Sequence, residues 1–212
     1  MSVVKLNPQQ EQAVKLTTSP LLVLAGAGSG KTAVITQKIV HLIRNCGYQP
    51  RHIAAVTFTN KASKEMKARV AKLLGNIKST GLIVSTFHNL GLKIIRTEHK
   101  ALGIRPNFTI FDDQDSLSLM KELCKKGDEA DKKEMLDFLS QISSWKNELI
   151  TPDQAIASAD NQESLLAAKL YEAYTRSIRA FNAVDFDDLI LLPTLLLKSE
   201  RKIREKWHGK IR

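Results

Sequence analysis

The chain has 212 residues, 43% of them hydrophobic, enough for one large domain or two small ones with a real core. The late apolar run "LILLPTLLL" is broken by Pro193 and Thr194 and falls far short of the roughly 20 residues that a membrane span takes, and the N-terminus lacks a basic-then-apolar secretory layout. A cytoplasmic, soluble protein with no membrane partner is therefore expected. The formal net charge of +10, from 32 Lys+Arg against 22 Asp+Glu, suits a polyanionic partner and suits a merely solvated basic surface equally well. Cys46 and Cys124 lack metal-ligand spacing and read as isolated thiols.

In chain order, "LLVLA" at 21–25 predicts a first strand. Behind it Val34, Ile35, Ile39, Leu42 and Ile43 recur at helical spacing until Gly47. "IAAVTFT" at 53–59 predicts a second strand, followed by a helix carrying Ala62, Met66, Val70, Leu73 and Leu74 and ending at Gly75; "LIVSTF" at 82–87 predicts a third. Strands that alternate with helices and are mostly apolar imply an α/β fold with a parallel sheet. From about residue 89 the pattern changes to long polar helical segments at 89–100, 113–126, 129–148, 152–159 and 162–181, punctuated by Gly103, Pro106, Gly127, Pro152 and Asn182. Only "NFTIF" at 107–111 hints at a further strand, so this block reads as an all-helical insertion without repeats or low-complexity tracts.

The stretch "AGAGSGKT" at 25–32 joins the first predicted strand to the first long helix, the setting a phosphate-binding loop needs. Gly28 and Gly30 can take backbone angles closed to other residues, so that the N–H groups of Ala27, Gly28, Ser29 and Gly30 line one concavity the size of a phosphate. Lys31 would neutralise the β- and γ-phosphates and the Thr32 hydroxyl would ligate a nucleotide-bound Mg²⁺, which makes these two the catalytic candidates. The pattern G-x-x-x-x-G-K-[ST] is met except at its first position, Ala25. An ordinary glycine-rich turn accounts for the glycines but not for a Lys-Thr pair at a strand-to-helix junction. Nucleotide binding follows; which kind of nucleotide-driven protein this is does not, since kinases, transporters, GTPases and motors share the loop.

Four ordered segments, "LNPQQEQAV" at 6–14, "AGAGSGKT", "AAVTFTNKASKEM" at 54–66 and "VSTFHNLG" at 84–91, closely resemble the first motifs of the superfamily 1A DNA helicases, the UvrD/Rep/PcrA family. "SWKNELITP" at 144–152 and "DFDDLILLP" at 185–193 extend the resemblance over essentially the whole chain. It implies a P-loop NTPase with a RecA-like parallel sheet, here incomplete: residues 1–88 as the first part of motor domain 1A with the Q motif, Walker A and motifs Ia and Ib, 89–195 as helical subdomain 1B, and 196–212 as the start of the return into 1A. It implies ATP and Mg²⁺ as cofactors, single-stranded DNA and single-strand/duplex junctions as partners, and 3′–5′ tracking as the activity.

Residue by residue, the resemblance assigns Gln10 to the adenine edge, where an amide offers both a donor and an acceptor; by itself Gln10 reads as a surface residue of a helix start. Phe58 would stack on a base of single-stranded DNA while Asn60 and Lys61 reach its backbone, a buried core phenylalanine being the alternative. Thr86, Phe87 and His88 leave the third strand at the same sheet edge, where open α/β sheets bind ligands; for His88 a capping or core role competes with a DNA contact. One departure is Ala33, where the family usually has an arginine at the nucleotide base.

A phosphate-loop motor also needs a carboxylate pair after a strand. Asp185, Asp187 and Asp188 precede their apolar run instead of following it, and "FDD" at 111–113 leads straight into a helix; both read as helix N-terminal acids. In the family the acidic motif lies just beyond a segment like "KWHGKIR", so the expectation is an N-terminal piece of a longer helicase that holds ATP without cleaving it efficiently. A missing strand beside the phosphate loop would also leave an unpaired edge and favour self-association.

Overall fold

The computed structural model describes residues 6–124 and 132–211. The helical expectations for 125–126 and 129–131 lie outside the described residues. The chain divides into two compact units, residues 1–87 with 205–212, and residues 88–204.

The first unit opens with α1 (Pro8–Lys15), started by a capping box in which Asn7 and Gln10 exchange side-chain-to-backbone hydrogen bonds, with Pro8 in the first turn. Lys38 ties the other end of α1 down, its ammonium donating to the carbonyls of Ala13 at 3.0 Å and Leu16 at 2.5 Å. Lys38 belongs to α2 (Lys31–Arg44), which buries Val34, Ile39 and Val40. Two strands, β1 (Ala54–Thr57) and β2 (Ile83–Thr86), pair in parallel with Ala54 opposite Ile83 and Thr57 opposite Thr86. The crossover between them is α3 (Asn60–Leu74), capped by the Thr59 hydroxyl and stopped by Gly75 at φ 61°. Its Met66, Val70 and Leu74 close a core with Ile39, Val40, Ile53 and Ala55, each fully buried aliphatic side chain contributing about 1.5–3 kcal/mol. Near the C-terminus Trp207 is buried, and the His52 ring nitrogen Nδ1 lies 3.0 Å from the Lys210 carbonyl oxygen.

The expected strand at 21–25 does not form. A strand exists only through pairing, and here β1 and β2 pair with each other alone, in a two-stranded sheet that 21–25 does not join. Leu21 to Leu24 are left exposed, Leu22 at 81% and Leu24 at 86%. The α/β character stands; the sheet is smaller than the periodicity predicted.

The second unit is built from α4 (Phe87–Glu98), whose first residue belongs to the first unit, then α5 (Asp113–Cys124), α6 (Lys132–Asn147), α7 (Pro152–Ala157), α8 (Gln162–Ala180), α9 (Asp188–Ser199) and α10 (Arg201–Lys210), the last running on into residues of the first unit. Thr151 with Gln154 and Asn161 with Ser164 form capping boxes that start α7 and α8. Met120, Phe138, Ile142, Ala168, Tyr171 and Tyr174 make the main core. The unit is not all-helical: β3 (Thr109–Ile110), the strand hinted at by "NFTIF", pairs in parallel with β4 (Ala183–Val184). Only two residues long, β4 leaves no periodic trace in sequence; it follows Asn182, held at φ 52°.

Charge divides unevenly. Residues 1–87 and 205–212 hold 15 Lys+Arg against 3 Asp+Glu, whereas 88–204 hold 17 against 19. The whole basic excess therefore lies in the first unit.

Candidate functional site

The glycine loop ends in two left-handed residues, Gly28 at φ 74° and Gly30 at φ 85°, the second serving as N-cap of α2 without any side-chain cap. Both positive φ values favour glycine, and a Cβ at Gly30 would in addition push the Gln10 amide, 2.9 Å away, off the loop. The Ser29 hydroxyl donates to the Gly26 carbonyl at 2.7 Å, tightening the turn. Lys31, first residue of α2, folds its ammonium back onto the loop and donates to the carbonyls of Ala25 at 2.7 Å and Gly26 at 2.6 Å. Ala27, Ser29, Lys31 and Thr32 are exposed.

Chemically, this arrangement concentrates positive potential at one point. The first backbone N–H groups of α2 have no intrahelical acceptor, the helix dipole is positive there, and the Lys31 ammonium lies over the loop beside them. The exposed Thr32 hydroxyl lies one residue on. An anion entering the loop would compete with two neutral carbonyls for Lys31, a contest a doubly charged phosphate wins. The donor set thus fits a nucleotide phosphate with its Mg²⁺. Gln10 reaches the same loop: its Nε2 donates to the Ser29 carbonyl at 3.0 Å while its Oε1 accepts from the Asn7 N–H at 3.0 Å. Both ends of the amide are thereby engaged, one by the helix cap and one by the loop.

A second group sits where β1 and β2 end. Because Thr57 faces Thr86 in register, the next residues of each strand, Phe58 and Phe87, emerge side by side with ring centroids 5.9 Å apart and planes inclined by 53°. Phe58 is 91% exposed, so the core reading is excluded. Thr86 itself is buried at the strand end, Asn60 opens α3 with its carbonyl accepting from the Ser63 hydroxyl, and Lys61 is exposed on the first turn.

His88, the first residue of the second unit, is half-buried, its ring 4.8 Å from that of Phe186. Phe186 is 58% exposed and was not singled out from sequence. Its only signal was an aromatic placed between acids. Two of those acids bond to the backbone at the start of α9, as their order suggested, with Asp185 Oδ1 accepting from the Asp188 N–H at 2.9 Å, while Asp187 at the N-cap makes no side-chain capping bond; Asp112 Oδ1 accepts from Gln114 and Asp115 at the start of α5.

The capping reading nevertheless missed the larger role of Asp185 and Asp188. Both are buried, and between them lies the ammonium of Lys146, itself 2% exposed, donating to Asp185 at 2.6 Å and Asp188 at 2.8 Å. The Tyr174 hydroxyl donates to Asp185 at 3.2 Å. Burial alone would lower the pKa of Lys146, but the two carboxylates outweigh it and raise the value above the ordinary lysine range. Burial, then the Asp185 charge, push Tyr174 up, and burial pushes Tyr171 up to about 12. Asp188 is also raised, by burial first and then by the like charge of Asp185 against the opposing pull of Lys146.

A cavity of about 880 Å³ in the second unit is walled by Leu191, Leu192, Leu195 and Leu196, with Lys146 and Asp188 also lining it. None of the residues expected to bind nucleotide or DNA lines it. No helix among the described residues is long and apolar enough to cross a membrane, and no cluster of metal-ligating side chains occurs among them.

Taken together, these features define an α/β protein carrying a glycine-rich, lysine-bearing turn at a helix N-terminus. The family described as "UvrD/REP helicase N-terminal domain" matches residues 6–212, and the chain belongs to that family. It is 57% identical over 208 residues to the ATP-dependent DNA helicase Rep of Escherichia coli K12, 98% of this chain and 31% of that protein. It is also 47% identical to the Rep helicase of Buchnera aphidicola from Acyrthosiphon pisum and 40% identical to the ATP-dependent DNA helicase PcrA of Staphylococcus aureus, covering 97% of this chain in both cases. The chain spans about a third of the length of these relatives.

Proposed function

We propose that this chain is the ATP- and single-stranded-DNA-binding N-terminal region of a 3′–5′ DNA helicase. Residues 1–88 form the first part of a RecA-like motor domain, 89–195 a helical subdomain and 196–212 the start of the return to the motor domain. The observation that carries the reading is the loop itself, with Gly28 and Gly30 left-handed, Lys31 poised over it and Gln10 bonded to its Ser29 carbonyl. In this reading Lys31 and the loop N–H groups bind the phosphates, Thr32 holds the nucleotide's Mg²⁺, and Gln10 exchanges one of its present partners for the adenine edge. Phe58 and Phe87 offer ring faces to bases, Asn60 and Lys61 reach the strand's backbone, Thr86 supports them from its buried place at the strand end, and the basic excess of the first unit draws the DNA in. His88, with Phe186, adds a further aromatic surface.

A second reading, a binding fragment without turnover, is favoured by where the carboxylates stand. Asp185 and Asp188 are committed to Lys146, and in residues 6–87 the only acids are Glu11 and Glu65, each in a surface ion pair with a neighbour on its own helix. The two readings join as one expectation: ATP and DNA are held and turnover is slow.

The test is a pair of assays on the 212-residue chain. Binding of a fluorescent oligo(dT) should weaken steeply between 50 and 200 mM salt, because each phosphate contact releases counterions, by roughly ten-fold or more for several contacts. Salt-insensitive binding would contradict the DNA reading, and DNA-stimulated ATP hydrolysis well above background would contradict the lack of turnover.

A further inference from the structure

Within the second unit, the His88–Phe186 ring pair is mounted at two points. The first is a close approach of helices: Pro193 has no N–H to offer the Leu189 carbonyl four residues earlier, and the backbone of Gly91 packs directly against that oxygen. A Cβ on Gly91 would lie 1.7 Å from it. This contact fixes α4, and hence His88 one turn earlier, against α9. The second mount is the ion network. Asp185 and Asp188 flank Phe186 and Asp187, and both acids are drawn inward onto Lys146 of α6, with Tyr174 of α8 bonded to Asp185. With residues 185 and 188 pinned inside, the intervening residue Phe186 is held outside, where it is 58% exposed.

We propose that Lys146 is a positioning residue for nucleic-acid binding: with Asp185, Asp188 and Tyr174 it forms an internal clamp that holds Phe186 against His88 at the surface. The clamp touches no ligand. Its chemistry explains why a charged side chain occupies a core position on α6, in step with Met135, Phe138 and Ile142: an apolar residue would fill the space but would leave the corner between β4 and α9 unpinned. The proposal rests on the single-stranded-DNA reading above.

A double-mutant cycle separates positioning from mere stability. Oligo(dT) affinity and thermal midpoint are measured for the 212-residue chain carrying Lys146→Met, Phe186→Ala and both, with Phe58→Ala as a reference background in the first unit. Phe186→Ala should weaken binding roughly five-fold or more, the loss of one stacked base. Lys146→Met should produce a loss of similar size alone and in the Phe58→Ala background, and almost none once Phe186 is already alanine, while lowering the midpoint equally in all three. The same loss in every background, or full affinity in Lys146→Met when Phe186→Ala is weakened, would overturn the clamp and leave the DNA reading intact. Unchanged binding in both Phe58→Ala and Phe186→Ala would overturn the DNA reading itself and the clamp with it. Should Lys146→Met not fold, Tyr174→Phe, which removes the 3.2 Å bond to Asp185 together with the hydroxyl's bond to Ser116, decides through the same cycle, with about a two-fold loss expected that disappears in Phe186→Ala.

Discussion

The two units use charge in opposite ways. In the first, Lys31 and Lys61 are exposed, acids are nearly absent, and a two-stranded sheet supports loops whose side chains face outward. In the second, Lys+Arg and Asp+Glu nearly balance, and its most consequential charges, Lys146, Asp185 and Asp188, lie inside the core. A charge kept in water costs little and stays available to a ligand, whereas a buried one requires fixed partners and so serves to fix geometry. Substitutions in the first unit should therefore alter binding at little cost in stability, whereas those at the buried charges of the second should lower stability and reach binding only through the position of Phe186.

The largest expected effect is on stability in the second unit. Lys146→Ala strands two buried carboxylates and should cost about 3–5 kcal/mol, read as a lower denaturant midpoint, whereas Lys31→Ala should leave that midpoint unchanged. Equal losses in the two variants would erase the contrast. Next comes Gly91→Ala, where the new methyl must displace the Leu189 carbonyl; a destabilisation of about 1–3 kcal/mol is expected, and a neutral result would mean that the α4–α9 approach is not tight.

Alkaline titration probes the same core without mutation. Lys146 and Tyr174 both have raised pKa values in the folded state, so each contributes stability that is complete below its unfolded value, 10.5 for lysine and 10.0 for tyrosine, and that is lost as pH rises through the folded value. The thermal midpoint of the second unit should thus begin to fall from about pH 10 upward, and Lys146→Met should flatten part of that fall. The smallest effect is on association: Leu22→Lys with Leu24→Lys removes exposed apolar surface that buries little, so light scattering should show less self-association with an unchanged midpoint. A monodisperse native chain would contradict the expected association directly.

What could be read from sequence was what local chemistry decides. The α2 start at Lys31 follows from two glycines and a Lys-Thr pair, and β1, α3 and β2 follow from β-branched runs, the Thr59 cap and Gly75. The apolar run "LLVLA" misled because hydrophobicity marks a segment able to enter a sheet, while strand formation depends on a neighbour to pair with. Phe58 could not be placed from its own identity; its exposure comes from the register that sets it beside Phe87 beyond the ends of paired strands. Lys146 and its acids lie 39 and 42 positions apart, and no local pattern links them. The one available clue was a lysine on the apolar face of a helix. Phe186 stayed unread for the same reason, because its prominence depends on where its flanking aspartates are anchored.

In the proposed function, the lysine of the glycine loop binds a nucleotide phosphate. Titrating a fluorescent ATP analogue with Mg²⁺ into the chain and into Lys31→Ala tests it most directly. Saturable binding to the native chain is expected, weakened by roughly ten-fold or more in the variant, since a charge-assisted bond to phosphate is lost, with the thermal midpoint unchanged. Equal affinity in the two proteins would contradict it.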